Sequence, residues 1–331
     1  MAARRVLRRP AARAARSPAF EAAVRLLERV APPRAGTLAV LTYHRVDEPE
    51  SKPFLYPGLI GATPAEFDEQ MRFLAERYRP LSLAELLAVR HGELEPPQRA
   101  VMVTFDDGYR DVAEHAWPAM RRHGVPLTLF VPTAFPDDPQ RLFWWDRLYA
   151  SMSKLEVSER MPVFRVMRAK VKSLPHEQAM TLVGQIASGA SDHAPAPAVL
   201  SWDELRGLAA DGVAIAPHSR THPLLDRVAP EEARREVRES LADLEREIGP
   251  TPRVFAYPGG GFDDGLPRLL AEEGFEIAFL TSRGTNDLGR ADWLRLARIN
   301  VGRASGLPLV RLQLLRRPGG GKTRLFRRRK P

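Results

Sequence analysis

The sequence predicts an α/β fold built on a parallel sheet or barrel. From Thr37 onward, short apolar runs alternate with amphipathic stretches, the pattern of repeated strand and helix units. The runs are apolar at consecutive rather than alternate positions, which suits strands buried on both faces. The stretches between them carry helix start and stop signals.

In chain order, residues 18–30 place Phe20, Val24, Leu27 and Val30 on one face of a short helix, beside arginines. Such a helix either rests on a membrane surface or packs on the body, and packing is the favoured reading. Strands are expected at 37–43, 100–105, 126–131, 212–216, 253–257, 275–281 and 297–301. Helices are expected at 64–78 after Thr63-Pro64, 110–123 ending at Gly124, 201–210 begun by Ser201, and 230–248 opened by Pro230 and closed by Gly249. The stretch 136–200 is too long for one crossover and has helical patches at 141–153, 158–171 and 175–188, so it reads as an insertion. At its start Phe143-Trp144-Trp145 either stacks on a sugar ring or anchors the insertion, the anchor being preferred.

Composition excludes several chemistries. With no cysteine among 331 residues there is no disulfide framework, iron–sulfur cluster, thiol nucleophile or Cys-based zinc site, so any metal must sit on His, Asp and Glu. The formal charge of +9 lies at the ends: six arginines in residues 1–16 and nine basic residues in 311–331, with no acid in either. The remaining 35 Lys and Arg face all 41 Asp and Glu, so the body from 17 to 310 is net −6. That is not a groove shaped to track phosphates, and no specific nucleic-acid partner is expected. The basic ends are expected to be disordered, with peripheral contact to anionic membrane as their possible use. No run approaches the ~18 apolar residues of a membrane span. Residues 18–30 are cut by Glu21, Arg25 and Glu28, unlike a secretory leader, so the expected location is cytoplasmic, peripheral at the inner membrane face. The expected divisions are 1–36 for the basic segment and short helix, 37–310 for the main domain with its 136–200 insertion, and 311–331 for the second basic segment.

Some motifs fail on inspection. Pro318-Gly-Gly-Gly-Lys-Thr323 resembles a phosphate loop, but Arg316 stands where its first glycine belongs. His176-Glu177 lacks the second histidine of a zinc-protease helix, and no G-x-S-x-G occurs. Two sites remain. Thr104-Phe105-Asp106-Asp107-Gly108 ends a buried strand, where parallel α/β folds place ligands. A second copy, Phe262-Asp263-Asp264-Gly265, reads as a helix cap. His218-Ser219-Arg220-Thr221-His222 ends another strand, bracketed by Pro217 and Pro223; eight histidines predict only about 0.2 such four-residue spacings by chance. Two imidazoles and one carboxylate make a three-ligand divalent-metal site with a position left for water or substrate. An adjacent aspartate then serves as the base that takes the proton of an attacking water.

T-F-D-D-G followed over 100 residues later by H-S-x-T-H resembles the polysaccharide deacetylase family, also called the NodB-homology or carbohydrate esterase 4 family. The likeness covers about 37–303. It includes Leu41-Thr42-Tyr43-His44-Arg45-Val46, Leu200-Ser201-Trp202-Asp203-Glu204-Leu205, Phe255-Ala256-Tyr257-Pro258 and Arg298-Ile299-Asn300-Val301, closest to its poly-N-acetylglucosamine deacetylase-like subgroup. The resemblance implies a distorted (β/α)7 barrel and removal of N-acetyl groups from N-acetylhexosamines of a glycan; an O-acetyl esterase or a degenerate glycan-binding scaffold are the alternatives. It implies Asp107, His218 and His222 as ligands of a divalent metal, zinc before cobalt, nickel or manganese, and Asp106 as general base. It further implies the Tyr109 backbone N–H at the oxyanion and His44 as the acid. Many members carry an arginine where this chain has Ala256, so the base needs another partner, and Arg298 is the expected one. Tyr257 and Trp293 are expected along the sugar site, with packing an equal alternative for each.

Overall fold

In a computed structural model, which describes residues 17–31 and 35–316, the seven apolar runs form seven parallel strands. Helix α1 (Pro18–Val30) leads into β1 (Thr37–Tyr43), followed by α2 (Pro64–Arg77), α3 (Leu83–His91) and β2 (Ala100–Asp106). Next come α4 (Trp117–Arg122) and β3 (Leu127–Val131). The insertion carries α5 (Trp144–Ala150), α6 (Val157–Val171) and α7 (His176–Ile186). The chain continues through α8 (Trp202–Ala210), β4 (Ala214–Pro217), α9 (Pro230–Glu247), β5 (Val254–Ala256), α10 (Leu266–Glu272), β6 (Ile277–Arg283), β7 (Leu296–Asn300) and α11 (Leu307–Leu314).

The strand order is β4-β3-β2-β1-β7-β6-β5, every step parallel. The sheet curls until β4 and β5 lie side by side without a ladder between them, giving a distorted (β/α)7 barrel with one open seam. Period-two alternation, with one side turned to the interior and the other to the helices, explains why its strands are apolar at most positions. Val40, Met102, Phe130, Ala216, Val254, Phe279 and Leu296 fill the interior. Their neighbours Ala39, Leu41, Val101, Val103 and Leu129 face the surrounding helices.

Capping boxes start α2 at Thr63/Glu66, α3 at Ser82/Glu85 and α8 at Ser201/Glu204. Asp263 of the second Asp-Asp pair, expected to cap α10, instead turns the chain just ahead of it by accepting from the backbone of Gly265 and Leu266, and Gly265 occupies the N-cap position. The helix expected over 110–123 is not continuous. Pro118 has no N–H to give, and the chain widens into a π turn at Val112–Ala116, where Trp117 N–H reaches back to Val112, before α4 begins.

The core runs past residue 310, because Val310 and Leu314 of α11 are buried and Arg311 pairs with Glu28 of α1. Helix α1 buries only Val24. The basic stretches 1–16 and 317–331, expected to be disordered, lie outside the described residues.

The insertion has its own core. Phe143 stacks on Phe135 at 4.0 Å and Trp145 at 4.6 Å, and Tyr56, Tyr109, Leu148, Tyr149 and Phe164 complete it. Phe143 and Trp145 therefore act as anchors, whereas Trp144 stays part-exposed against a recess beside His222.

Candidate active site

The even-numbered side of β2 faces the barrel interior, so Thr104 and Asp106 follow Met102 inward, and Arg298 of β7 projects to meet them. Its guanidinium grips Asp106 with both arms, Nη1 to Oδ1 at 2.8 Å and Nη2 to Oδ2 at 2.7 Å, while Nε donates to the Leu280 carbonyl at 2.9 Å. Arg298 and Asp106 are both fully enclosed. Burial alone would raise the Asp106 pKa. The charge of Arg298, with further help from His218, outweighs it and holds the carboxyl below its usual range.

The chain then turns through left-handed backbone at Asp107 (φ 73°) and Gly108 (φ 68°). Among the described residues four non-glycines have positive φ, and three of them, Asp107, Ser219 and His222, are at this site. Each costs roughly 1 kcal/mol or more, and such strain persists where the surroundings over-determine it. Here it lets consecutive carboxylates serve one mouth: Asp106 stays on Arg298 while Asp107 swings to the histidines.

His218 follows β4, its backbone N–H on Val131 O at 3.0 Å. Its Nδ1 donates to Ala256 O at 2.7 Å, across the seam between β4 and β5. That bond fixes the tautomer and leaves Nε2 as a lone pair facing Asp107. Burial pushes the His218 pKa down to about 4, so the ring is neutral at neutral pH. His222 is brought back by a turn in which its N–H bonds Ser219 Oγ, and the Trp145 ring stands edge-on to it at 5.0 Å. Asp107 Oδ1 lies 3.3 Å from His222 Nε2 and 3.7 Å from His218 Nε2. Burial would raise the Asp107 pKa, but the three nearby histidines, His222 foremost, keep it well below the ordinary value.

These three residues fit a divalent cation. Their donor atoms lie within 4.8 Å of one another, all three side chains are buried, and Asp107 Oδ1 has no hydrogen-bond partner. One carboxylate, two neutral imidazoles and a carbonyl steadying one ring make the donor set of an open, three-ligand site.

The other sequence candidates divide. His44, half-buried just past β1, lies close enough for its charge to act on both Asp106 and Asp107. The bridge between Tyr109 and Val199 is closed by the N–H groups of Arg110 and Leu200, which leaves the Tyr109 N–H outside it. Tyr257 and Trp293 do not line the site. Tyr257 follows Phe255 in facing outward, is buried against α9 and α10, and its hydroxyl donates to Leu294 O. Trp293 precedes β7, at the opposite end of the barrel, with the Arg90 guanidinium over its ring at 5.5 Å.

Four acids and a lysine were missed. Glu236 of α9 accepts from Arg220 N at 2.8 Å, Thr221 N at 2.7 Å and Thr221 Oγ1 at 2.6 Å, clamping the turn between the two histidines. Asp243, one helical repeat on, holds Thr133 and Arg220. Both are acids on the apolar stripe of α9, a signal visible in the sequence. Asp111 takes Arg45 Nε at 2.7 Å and Val46 N at 3.1 Å, tying the π turn to the segment after His44. Asp146 accepts from Tyr56 N at 2.6 Å and Tyr109 Oη at 2.5 Å. Lys172, at the end of α6, donates to Gly259 O at 3.2 Å in the recess it shares with His222; burial, and then Arg168, push its pKa down to about 8.

The sequence model of the family described as polysaccharide deacetylase matches residues 93–278, more than half of the chain, a stretch that includes Asp106, Asp107, His218 and His222. The chain belongs to the polysaccharide deacetylase family. It is similar to "Putative polysaccharide deacetylase YxkH" of Bacillus subtilis, 18% identical over 248 residues, which make up 75% of this chain and 65% of that protein. The chain thus spans just under two thirds of the length of that relative. Among solved structures, the Streptococcus pyogenes deacetylase PplD in complex with acetate matches with TM-score 0.61 at 19% identity, covering 86% of this chain and 100% of that one. IcaB from Ammonifex degensii matches with TM-score 0.57 at 19% identity, covering 85% and 98%. At such identities the structural likeness is one of fold. His44 and Arg298 fall outside the matched stretch.

Proposed function

We propose that this polysaccharide deacetylase family member removes N-acetyl groups from N-acetylhexosamine residues of a glycan by metal-assisted hydrolysis. The observation that carries the reading is the buried triad of Asp107, His218 and His222, with Asp106 held separately beside it by Arg298. Binding alone needs no second carboxylate; hydrolysis does, because the attacking water must lose a proton.

Asp107, His218 and His222 would hold the cation, zinc being the best match to a His2Asp donor set, with cobalt, nickel and manganese as substitutes. When bound it supplies Lewis acidity to the acetyl carbonyl and to the attacking water. Asp106 Oδ2, 3.9 Å from His218 Nε2, faces the same space and takes the proton of the water. Arg298 holds that carboxylate in one orientation and keeps it unprotonated. The Tyr109 N–H stabilises the oxygen that gains charge as the carbonyl becomes tetrahedral. His44 gives a proton to the departing amine, and acetate leaves.

The test is acetate release from a panel of N-acetylated oligosaccharides. Wild type is expected to turn over at least one, to lose activity on chelation and to regain it with Zn2+ or Co2+. Asp106→Asn and His218→Ala are expected to fall by about 10²-fold or more. Full activity after exhaustive chelation, or in Asp106→Asn, would refute the proposal.

A further inference from the structure

We propose that the end of the barrel opposite the site is a docking surface for an anionic phospholipid bilayer, with α1 as the inserting element. Helix α1 turns Phe20, Val24 and Glu28 toward the body, where Glu28 pairs with Arg311 of α11. The rest of its apolar arc faces outward: Leu26 is 62% exposed, Leu27 47% and Val30 69%, three of the six exposed large hydrophobic residues of the described chain. An amphipathic helix that packs by one edge and leaves its leucines in water is unexplained by the fold alone. In the plane of a bilayer that arc enters the boundary between headgroups and acyl chains.

The charge around the arc selects the lipid. Between α1 and the strand starts at Thr37 and Ala100 lies a hollow of about 520 Å³. Its rim carries Arg25, Arg29, Arg77, Arg99, Arg311 and Arg316 against the acids Glu28 and Glu76. That cationic excess fits lipid phosphates at headgroup depth. The described chain begins at Ser17 and ends at Arg316 on this same end, since α1 packs on α11. Six arginines precede residue 17 and seven basic residues follow residue 316, with no acid in either stretch. Residues 17–316 between them are net −4, so the positive excess of the chain lies in those two stretches and an anionic surface draws this end of the molecule first. The candidate site then faces away from the bilayer, toward a glycan that extends from the membrane or lies free of it.

The experiment is co-sedimentation of the full chain with vesicles of phosphatidylcholine alone and of phosphatidylcholine with about 30% phosphatidylglycerol. The expected result is at least about tenfold stronger partitioning to the anionic vesicles, weakened by raised salt. Leu26→Glu/Leu27→Glu/Val30→Glu and, separately, Arg25→Glu/Arg29→Glu are expected to lower it by about tenfold each. All replaced side chains are on the surface, and an unchanged Tm confirms the fold. Equal partitioning to both vesicles, or full binding by the triple variant, overturns the proposal. So does a concentration-dependent dimer that the triple variant disperses, which would make a second copy the occupant. Acetate release from a soluble oligosaccharide is expected to be the same in wild type and both variants. Its absence in wild type would count against the hydrolase reading and leave the docking result standing.

Discussion

Arg298 holds both carboxylate oxygens of Asp106, at 2.8 and 2.7 Å, inside the barrel where neither side chain meets solvent. The two are 192 positions apart in sequence, on strands β2 and β7, and β1 lies between them in the sheet. A buried ion pair of this kind adds little net stability, yet removing one partner strands the other charge at about 3–5 kcal/mol. Arg298→Ala is therefore expected to destabilise the protein on that scale in urea denaturation. Asp106→Asn/Arg298→Met together are expected to recover most of it.

The same pair fixes the pH dependence of the base. Arg298 is the first of the groups that lower the Asp106 pKa against burial, so its loss raises that pKa and the carboxylate is protonated up to higher pH. The acidic limb of kcat/KM is expected to move to higher pH in Arg298→Ala, with kcat down by about 10²-fold. Arg298→Lys keeps the charge but not the two-pronged grip, and should fall between. An unmoved limb would show that Asp106 is poised by something else.

Glu236 touches no proposed ligand directly, but it holds the turn that carries one. Glu236→Ala removes three bonds to Arg220 and Thr221 and should weaken Zn2+ affinity by 10- to 100-fold, the usual scale for groups that orient metal-binding side chains. Glu236→Gln retains an acceptor for the two N–H groups and can donate to Thr221, so it should keep most of the affinity. Metal titration of the apo-protein separates the two variants. Equal affinity in Glu236→Ala and wild type would mean that the strained backbone at Ser219 and His222 is held by the remaining contacts.

The barrel was legible because most strand positions are buried on both faces, which writes seven largely apolar runs into the chain. The grouping of Asp107, His218 and His222 was legible because they sit in two short segments, each at a strand end. The outward turn of Tyr257 was not, because it depends on strand parity at the end of β5, where Phe255 sets the outer face and Ala256 gives its carbonyl to His218. Trp293 takes its packing alternative because it lies three residues before β7 begins, at the end of the barrel away from the cluster, whereas Arg298 sits on the strand itself. Asp146 escaped because nothing local marks an aspartate in an aromatic helix as the acceptor for Tyr56 and Tyr109, 90 and 37 positions away.

Asp146 also makes the prediction that depends most on sign. Burial pushes its pKa from 3.8 up to about 7, against the hydrogen bonds from Tyr109 and Tyr56, which favour the ionised form. A carboxyl that binds its proton more tightly when folded stabilises the fold fully below its unfolded pKa, and that contribution fades as pH rises through the folded value. The stability of wild type relative to Asp146→Asn, which carries no titrating group there, is therefore expected to shrink between pH 4.5 and 7. The loss should run at about 1.4 kcal/mol per unit at most and level off above that range. Urea denaturation of both proteins across pH 4.5–8.5 measures it. A difference that stays flat would mean that Asp146 is already ionised throughout, with Tyr109, Tyr56 and the charge of Arg45 outweighing its burial. Asp146→Ala, which leaves Tyr109 Oη and Tyr56 N–H without an acceptor, is expected to be the least stable of the three at every pH, by about 1–3 kcal/mol for each orphaned group.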